Sequence, residues 1–502
     1  MMLYHSTQDK SACVSSAQAI AQGISKDGGL FVPEGFPKLS TDALRSMLDM
    51  SYQERAKFIL SMYLTDFTPA EVAECVDSAY TAAKFGSENP APLAAVDYNG
   101  SELDLLELWH GPTCAFKDMA LQILPHLLTK SLEKVGGGRE AVILVATSGD
   151  TGKAALEGFR DVDHTRIIVF YPVNGVSAMQ KHQMSTQEGG NVYVCAINGN
   201  FDDAQTAVKR IFTDPDTAAV LEENGMMFSS ANSINWGRLL PQIVYYISAY
   251  CDMVNSGRVQ LGDKINITVP TGNFGNILAG YYACEMGLPV NKFICASNSN
   301  NVLTDFIRTG VYDKNRDFYT TVSPSMDILV SSNLERLLFT MSGGDDSETK
   351  GYMDALKSKG AYTVSDRIRE GIQSLFYGGF ADEDATKRTI HDLFTQQGYL
   401  CDTHTAVAVA VCDEYIRETG DKTPVVIAST ASPYKFSKAV LEALDKGELP
   451  ESEFDMVEKL HELTGAPVPA PLESLRGRTP RFNDVTDKED MRSVVLGALG
   501  IG

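Results

Sequence analysis

Basic residues are in short supply in this 502-residue chain: 43 Lys and Arg stand against 65 Asp and Glu, a formal net charge of −22. That deficit argues against nucleic acid or an anionic membrane as a partner, because both need clustered Lys and Arg. No block of about five or six like charges appears either, so the charge reads as solubility. The nine cysteines (13, 75, 114, 195, 251, 284, 295, 401 and 412) are an odd number with no CxxC pair. A disulfide framework and a zinc site are therefore not expected, and a reducing cytoplasm is. The eight histidines make no HxxxH or HExxH, which argues against a histidine metal centre. The N-terminus lacks a basic region followed by an apolar run, so no signal peptide is expected. Stretches of about 18 apolar residues are missing too, and the expectation is a soluble intracellular protein.

What is present is ordinary globular composition, 44% hydrophobic and 22% charged, in a length that implies roughly two to four domains. Residues 1–95 carry helical patterns, apart from a Gly/Pro-rich passage at 27–37. From about residue 100, short β-branched runs recur at 141–146, 166–171, 191–197, 265–269, 292–296 and 424–428, with helical patterns between them. Near-continuous apolar strands alternating with helices predict parallel sheets covered on both faces. Ligands gather at the carboxyl ends of such strands. The stretch 300–400 breaks the rhythm and reads as a helical elaboration without a buried strand. The tail after 446, with its Gly465-Ala-Pro-Val-Pro-Ala-Pro, reads as a loosely packed extension.

Chemistry concentrates at the turns. Lys117 lies where a loop punctuated by Gly111-Pro112 gives way to the apolar pattern Met119, Leu121, Ile123, Leu124. A lysine at a helix start opposes the macrodipole, so another use is implied; taken alone, a lysine there more often reads as an exposed first-turn residue, and the turns downstream shift the balance. Gly272-Asn273-Phe274-Gly275-Asn276 joins the run 265–269 to a helical pattern. Glycines there let backbone N–H groups approach a ligand, and the helix start favours a phosphate. Thr147-Ser148-Gly149-Asp150-Thr151-Gly152 has the same setting and suits a carboxylate. Lys153 follows it, but GxxxxGK[ST] fails: Gly149 to Gly152 is too short, and Ala154 replaces the hydroxyl. Thr430, after the run 424–428, either faces a cofactor ring nitrogen or caps the helical pattern 433–444. Ser229, Asn232, Asn235 and Arg238 form a donor-rich cluster, and Lys181 and His182 add cations early in a helix. Arginine suits bidentate recognition of phosphate or carboxylate; each set also reads as ordinary packing or surface. Trp109 and His110 read as packing groups beside the lysine loop.

Taken together, several ordered motifs carry a family likeness. They are Tyr4-His-Ser-Thr7, Gly28-Gly-Leu-Phe-Val-Pro33, His110-Gly-Pro-Thr-Cys-Ala-Phe-Lys117-Asp118, Thr147–Gly152, Asn232-Ser-Ile-Asn235, Pro270-Thr-Gly-Asn-Phe-Gly275 and Ser429-Thr-Ala431. The chain resembles threonine synthases of the branch with a long N-terminal domain. The resemblance implies an α/β, fold type II pyridoxal-phosphate enzyme with two open, mainly parallel sheets covered by helices, plus a helical N-terminal domain. It implies an N-terminal domain at 1–95, a large cofactor-binding domain at 96–135 and 225–445, a small open-sheet domain at 136–224, and an extension at 446–502. The implied reaction is that of a carbon–oxygen lyase acting on phosphates, O-phospho-L-homoserine and water giving L-threonine and phosphate.

Residue by residue, the resemblance makes Lys117 the Schiff-base lysine. Gly272, Asn273, Phe274, Gly275 and Asn276 become the cofactor-phosphate loop, and Thr430 the partner of the pyridine nitrogen. Thr147, Ser148, Gly149, Asp150 and Thr151 become the loop for the substrate carboxylate. The motifs do not fix the substrate-phosphate site; Lys181, Ser229, Asn232, Asn235 and Arg238 are expected to form it on electrostatic grounds, since a chain at −22 must focus positive potential locally to hold a dianion. Relatives of this fold type often carry Asn at the position of Asp150. Small-molecule substrate, no nucleic acid, no membrane, and a monomer or homodimer are the partner expectations. Two rivals stay open: a phosphohomoserine lyase releasing 2-oxobutyrate, and a non-catalytic protein binding a phosphorylated metabolite.

Overall fold

The runs Ile265–Pro270 and Val425–Ser429 are buried at every position, with no polar face to offer solvent. Strands of that kind need cover on both sides. In the computed structural model, which describes residues 1–501 apart from Ser148, Gly175 and Lys446, they occupy the middle of a six-stranded sheet. Its order is Phe376–Phe380, Val290–Ser297, Ile265–Pro270, Val425–Ser429, Ser101–Glu107, Leu93–Tyr98. Each neighbouring pair is parallel except the last, an antiparallel hairpin. Asn99 and Gly100 close that hairpin with φ of 52° and 79°, the left-handed pair that a two-residue turn demands. A second sheet is wholly parallel, in the order Val485–Asp487, Val192–Asn198, Thr165–Pro172, Glu140–Ala146, Met226–Ser229. The chain is thus an α/β protein with two helix-covered sheets.

The N-terminal region combines a three-stranded antiparallel sheet, with Tyr4–Ser6 between Cys13–Val14 and Phe31–Pro33, and a set of helices. Two of those helices, Tyr52–Tyr63 and Pro69–Ala79, start at capping boxes, Ser51 with Glu54 and Thr68 with Glu71. Each box satisfies two otherwise orphaned N–H groups, which fixes where the helix begins. The region is tied to the rest through buried groups. Arg55 donates to Ser248 Oγ at 2.8 Å and pairs with Asp252 at 2.6 Å. The Trp236 ring is fully buried, with the rings of Tyr4 and Tyr63 at 5.2 and 5.5 Å. Among the described residues no helix is long and apolar enough to cross a membrane.

Three expectations need correction. The stretch 300–400 does hold a sheet strand: Phe376–Phe380 pairs with Val290–Ser297 at the edge of the six-stranded sheet. Its Gly378-Gly379 hides the β pattern; a Cβ on Gly378 would lie 3.0 Å from the Thr304 backbone, so close packing excludes a side chain there. The tail is not loosely packed: Val485–Asp487 extends the five-stranded sheet, and the helix Met491–Ala498 buries Met491 and Val495. Finally, Met226–Ser229 pairs with Glu140–Ala146, so the smaller sheet reaches beyond residue 224.

Candidate active site

Three strand ends converge on Lys117. The loop before it is pinned by its own side chains: Thr113 donates from N–H and hydroxyl to Asp118, at 2.8 and 2.7 Å. Gly111 allows this, since a Cβ there would sit 2.5 Å from Asp118. Burial pushes the Asp118 carboxyl up to about 6, against the pull of the Thr113 bonds. The same loop is clipped to the turn after Val425–Ser429, for Phe116 N–H donates to the Thr430 carbonyl and Ser432 N–H to that of Cys114. Lys117 itself opens the short helix Asp118–Leu121 and is 8% exposed. Its Nζ lies 3.4 Å from Ser325 Oγ and 3.9 Å from Asp150 Oδ2. Burial lowers the amine to about 8; Asp150 opposes the shift, while Arg238 and Lys435 reinforce it.

Asp150 begins the helix Asp150–Phe159 at the end of Glu140–Ala146. Lys435 Nζ sits 2.7 Å from Asp150 Oδ1 and Gln180 Nε2 donates to the same oxygen at 3.0 Å. Burial alone would raise this carboxyl, but Lys435, Lys117 and the Gln180 amide hold it well below the usual carboxylate range. Lys435 also donates to the Thr113 carbonyl at 2.8 Å, which links it to the lysine loop. Gly149, at φ 139°, makes the turn, and a Cβ there would lie 2.3 Å from the Gln180 side chain.

The third turn, 271–274, leads from Ile265–Pro270 into the helix Gly275–Met286. Phe274 has φ 61°, and a Cβ on Gly272 would lie 2.5 Å from the Ser325 carbonyl. The turn is held by Ser331, which donates to the Gly272 carbonyl at 2.8 Å, and by Asn333, which donates to that of Asn273 at 3.0 Å. Asn276 Oδ1 accepts from Tyr245 and Tyr246, at 2.6 and 2.5 Å, while its Nδ2 is buried without a partner. A buried, unpaired amide donor at the start of a 12-residue helix calls for an acceptor, and an anion is the natural one.

Comparison with known proteins decides the family. Residues 3–80 match the family "Threonine synthase N terminus", 88–431 "Pyridoxal-phosphate dependent enzyme", and 405–495 "Threonine synthase, C-terminal". The chain is 38% identical to the threonine synthase of Pseudomonas aeruginosa over 443 residues, 88% of this chain and 90% of that one. This chain belongs to the threonine synthase family. The pyridoxal-phosphate-bound threonine synthase of Brucella melitensis superposes with a TM-score of 0.85 at 35% identity, covering 99% of each chain. The yeast threonine synthase gives 0.88 at 32% identity, over 99% of this chain and 98% of that one. Human threonine synthase-like 1 is 42% identical over 447 residues, 87% of this chain; the chain spans 59% of that protein's length.

The cofactor of this threonine synthase family member is pyridoxal phosphate, and the fold is that of the type II enzymes. The 272–276 turn fits its phosphate on the evidence of the Asn276 amide, an unpaired donor buried at the start of the helix Gly275–Met286. Thr430 is buried, and among the described residues its hydroxyl takes no hydrogen bond. It does not cap the following helix, because Ser432 accepts from Tyr434 N–H instead.

The other residues singled out from the sequence are spread more widely. Thr147 Oγ1 accepts from the N–H groups of Gly149 and Gly152, at 3.0 and 2.9 Å, so that hydroxyl is engaged in the turn. Thr151 is half-buried on the first helical turn, and Ser148 lies outside the described residues. Arg238 is buried, donates to the Ala231 carbonyl at 2.8 Å and acts electrostatically on Lys117. Asn235 is committed elsewhere: its amide donates to the carbonyls of Ile20 and Ser230 and accepts from Gly237 N–H. Ser229 donates to the Ala21 carbonyl, which makes it a tie to the N-terminal helix. Asn232 and Lys181 are exposed, and the His182 ring engages the Leu475 carbonyl at 3.0 Å.

Four groups near Lys117 escaped the sequence reading: Lys435, Gln180, Ser325 and His404. Ser325 N–H donates to His404 Nε2 at 3.1 Å, and His404 Nδ1 bonds Asp402 at 2.8 Å. Asp402 caps the helix Thr403–Thr419. An N-cap signal at Asp402 is visible locally; its alliance with Lys117 is not.

Proposed function

We propose that the chain is a threonine synthase, converting O-phospho-L-homoserine and water to L-threonine and inorganic phosphate. Family membership supports the class of chemistry, and one observation supports the substrate. Arg238 is buried beside Lys117 and has no carboxylate partner among the described residues, in a chain with net charge −22. Local positive potential of this kind suits a phosphorylated, dianionic substrate.

Lys117 would carry the cofactor, the turn 272–276 would take its phosphate, and Thr430 would face its ring nitrogen. Pyridoxal phosphate supplies, when bound, the electron sink that lets hydrogens on the substrate's Cα and Cβ leave as protons. The Lys117 amine, lowered to about 8 by burial with Arg238 and Lys435 against Asp150, is partly neutral near physiological pH and fit to take and return protons. Ser325 Oγ orients that amine, and its own backbone is held by the His404–Asp402 pair. The residues 147–151 would receive the substrate carboxylate and Arg238 its phosphate. Across the reaction phosphate leaves Cγ, the water oxygen joins Cβ, and a proton returns to Cγ, so atoms and charge balance. A hydroxyl at Thr430 does not enforce a protonated ring as a carboxylate would, which favours passing the substrate on.

The second reading, a lyase that stops at elimination and releases 2-oxobutyrate, shares every one of these residues. Phosphate release by Lys117→Ala tests the shared part. Loss of turnover is expected, and an alanine variant as fast as wild type would remove Lys117 from the chemistry. Thr430→Asp tests the specific part, with an altered ratio of threonine to 2-oxobutyrate expected.

A further inference from the structure

Arg336 is fully buried, yet it forms no ion pair among the described residues. Its neighbour in sequence, Glu335, is also buried but accepts from the Thr7 hydroxyl and, at 2.9 Å, from Gln8 Nε2. A guanidinium shut away from water without a carboxylate is costly, and an apolar residue of similar volume would avoid that cost. The hydrogen bonds of Arg336 show what the fold gains from it. Nε donates to the Phe31 carbonyl at 2.9 Å, Nη2 to the Ile234 carbonyl at 2.6 Å, and Nη1 to Asn333 Oδ1 at 2.5 Å. Three segments thus meet on one planar fork: the N-terminal strand Phe31–Pro33, the stretch 229–238, and the start of the helix Leu334–Met341.

Asn333 passes this grip on to the turn after Ile265–Pro270. With its Oδ1 taken by Arg336, the Asn333 amide has one orientation, and its Nδ2 donates to the Asn273 carbonyl at 3.0 Å. The backbone N–H of Asn333 reaches the same oxygen at 3.1 Å, and Ser331 holds the Gly272 carbonyl at 2.8 Å. In a trans peptide the N–H points opposite to the C=O. Anchoring these two carbonyls therefore turns the N–H groups of Asn273 and Phe274 away from the segment 331–333. Neither N–H has an acceptor among the described residues, and the helix Gly275–Met286 opens directly after them. Successive free N–H groups ahead of a helix make an anion cradle.

We propose that Arg336 is a positioning residue for the cofactor phosphate, acting through Asn333 on the peptides of the 272–276 turn. The inference rests on the reading of that turn as the phosphate site. It makes the N-terminal region part of cofactor binding, because the Phe31 carbonyl helps to fix the guanidinium that holds the turn. A lysine does not replace this arginine, since a single ammonium does not span three acceptors in one plane.

The test titrates full-length protein, stripped of cofactor, with pyridoxal phosphate and with pyridoxal, which lacks the phosphate. The visible absorption band is read against a Lys117→Ala blank. Arg336→Met and Arg336→Lys should each bind pyridoxal phosphate about tenfold more weakly and pyridoxal within about twofold of wild type. A residue that merely supports the fold would weaken both ligands alike. Asn333→Ala keeps the guanidinium's bonds to Phe31 and Ile234 and should show the same selective loss, so it carries the test if the Arg336 variants do not fold. Asn276→Asp, which sets a carboxylate in the turn, reads the turn itself in the same titrations. Selective loss there, with wild-type affinity in the Arg336 or Asn333 variants, keeps the turn and overturns the role of Arg336. No selective loss in Asn276→Asp removes the phosphate from the turn and the proposal with it. Equal loss of both ligands in the Arg336 and Asn333 variants would also overturn it.

Discussion

Replacing Lys435 by methionine removes the closer of the two ammonium groups on Asp150, at 2.7 Å against 3.9 Å for Lys117. The Lys435 side chain has no exposure and Asp150 only 5%, so solvent cannot take over the lost charge. Losing one partner of a buried pair costs ~3–5 kcal/mol, because an uncompensated charge stays behind. The Thr113 carbonyl, left without its 2.8 Å donor, adds ~1 kcal/mol. Lys117 offsets part of this by serving Asp150 alone, which brings the expected loss toward the lower end, ~3 kcal/mol. Adding Asp150→Asn removes the stranded charge, and the double variant should recover ~1–3 kcal/mol relative to Lys435→Met. Urea unfolding of the apoproteins at neutral pH, with wild type and both single variants, completes the cycle. A loss below ~1 kcal/mol for Lys435→Met, or a double variant no more stable than it, would refute the reasoning.

The Lys117 amine, lowered to about 8 by burial with Arg238 and Lys435 reinforcing and Asp150 opposing, titrates at about 10.4 in the unfolded chain. Between those values the unfolded state binds more protons, so apoprotein stability should rise with pH by up to ~3 kcal/mol relative to Lys117→Met. A difference that stays flat across that window counts against the lowered amine. Gly272→Ala places a methyl 2.5 Å from the Ser325 carbonyl, and equilibrium dialysis should show pyridoxal phosphate bound about tenfold more weakly or worse; an unchanged Kd would free the turn from that role. Arg238→Leu should lower kcat/KM for O-phospho-L-homoserine by an amount on the order of 2–4 kcal/mol and weaken inhibition by free phosphate. If both stay at wild-type values, Arg238 is structural.

Local patterns carried much of the fold. Glu140–Ala146, Ile265–Pro270 and Val425–Ser429 announce themselves because burial on both faces demands apolar residues throughout. The strand Phe376–Phe380 does not, since its two glycines serve close packing and carry no β signal. Val485–Asp487 is equally silent: three edge residues, two of them exposed, that only a sheet far back in the chain makes into a strand. The hairpin at Asn99-Gly100 had a readable turn signal that the helical and parallel-strand patterns around it masked.

The site divides in the same way. Lys117, the 147–152 turn and the 272–276 turn are each a local arrangement of glycine, hydroxyl and helix start. Lys435 meets Asp150 across 285 positions of chain, and Ser325 meets Lys117 across 208. No spacing rule reaches that far. Asn235 shows the opposite error: its amide satisfies three backbone groups of the fold, a use that looks identical in sequence to a ligand contact.

The central claim is that this chain turns O-phospho-L-homoserine into threonine, and product stoichiometry tests it most directly. Purified protein loaded with pyridoxal phosphate is incubated with the substrate, and threonine, 2-oxobutyrate and inorganic phosphate are measured in the same samples. Threonine and phosphate should appear in equal amounts, with no 2-oxobutyrate above the background of a Lys117→Ala control. Phosphate matched by 2-oxobutyrate would make the chain a lyase, and no phosphate release at all would contradict the account outright.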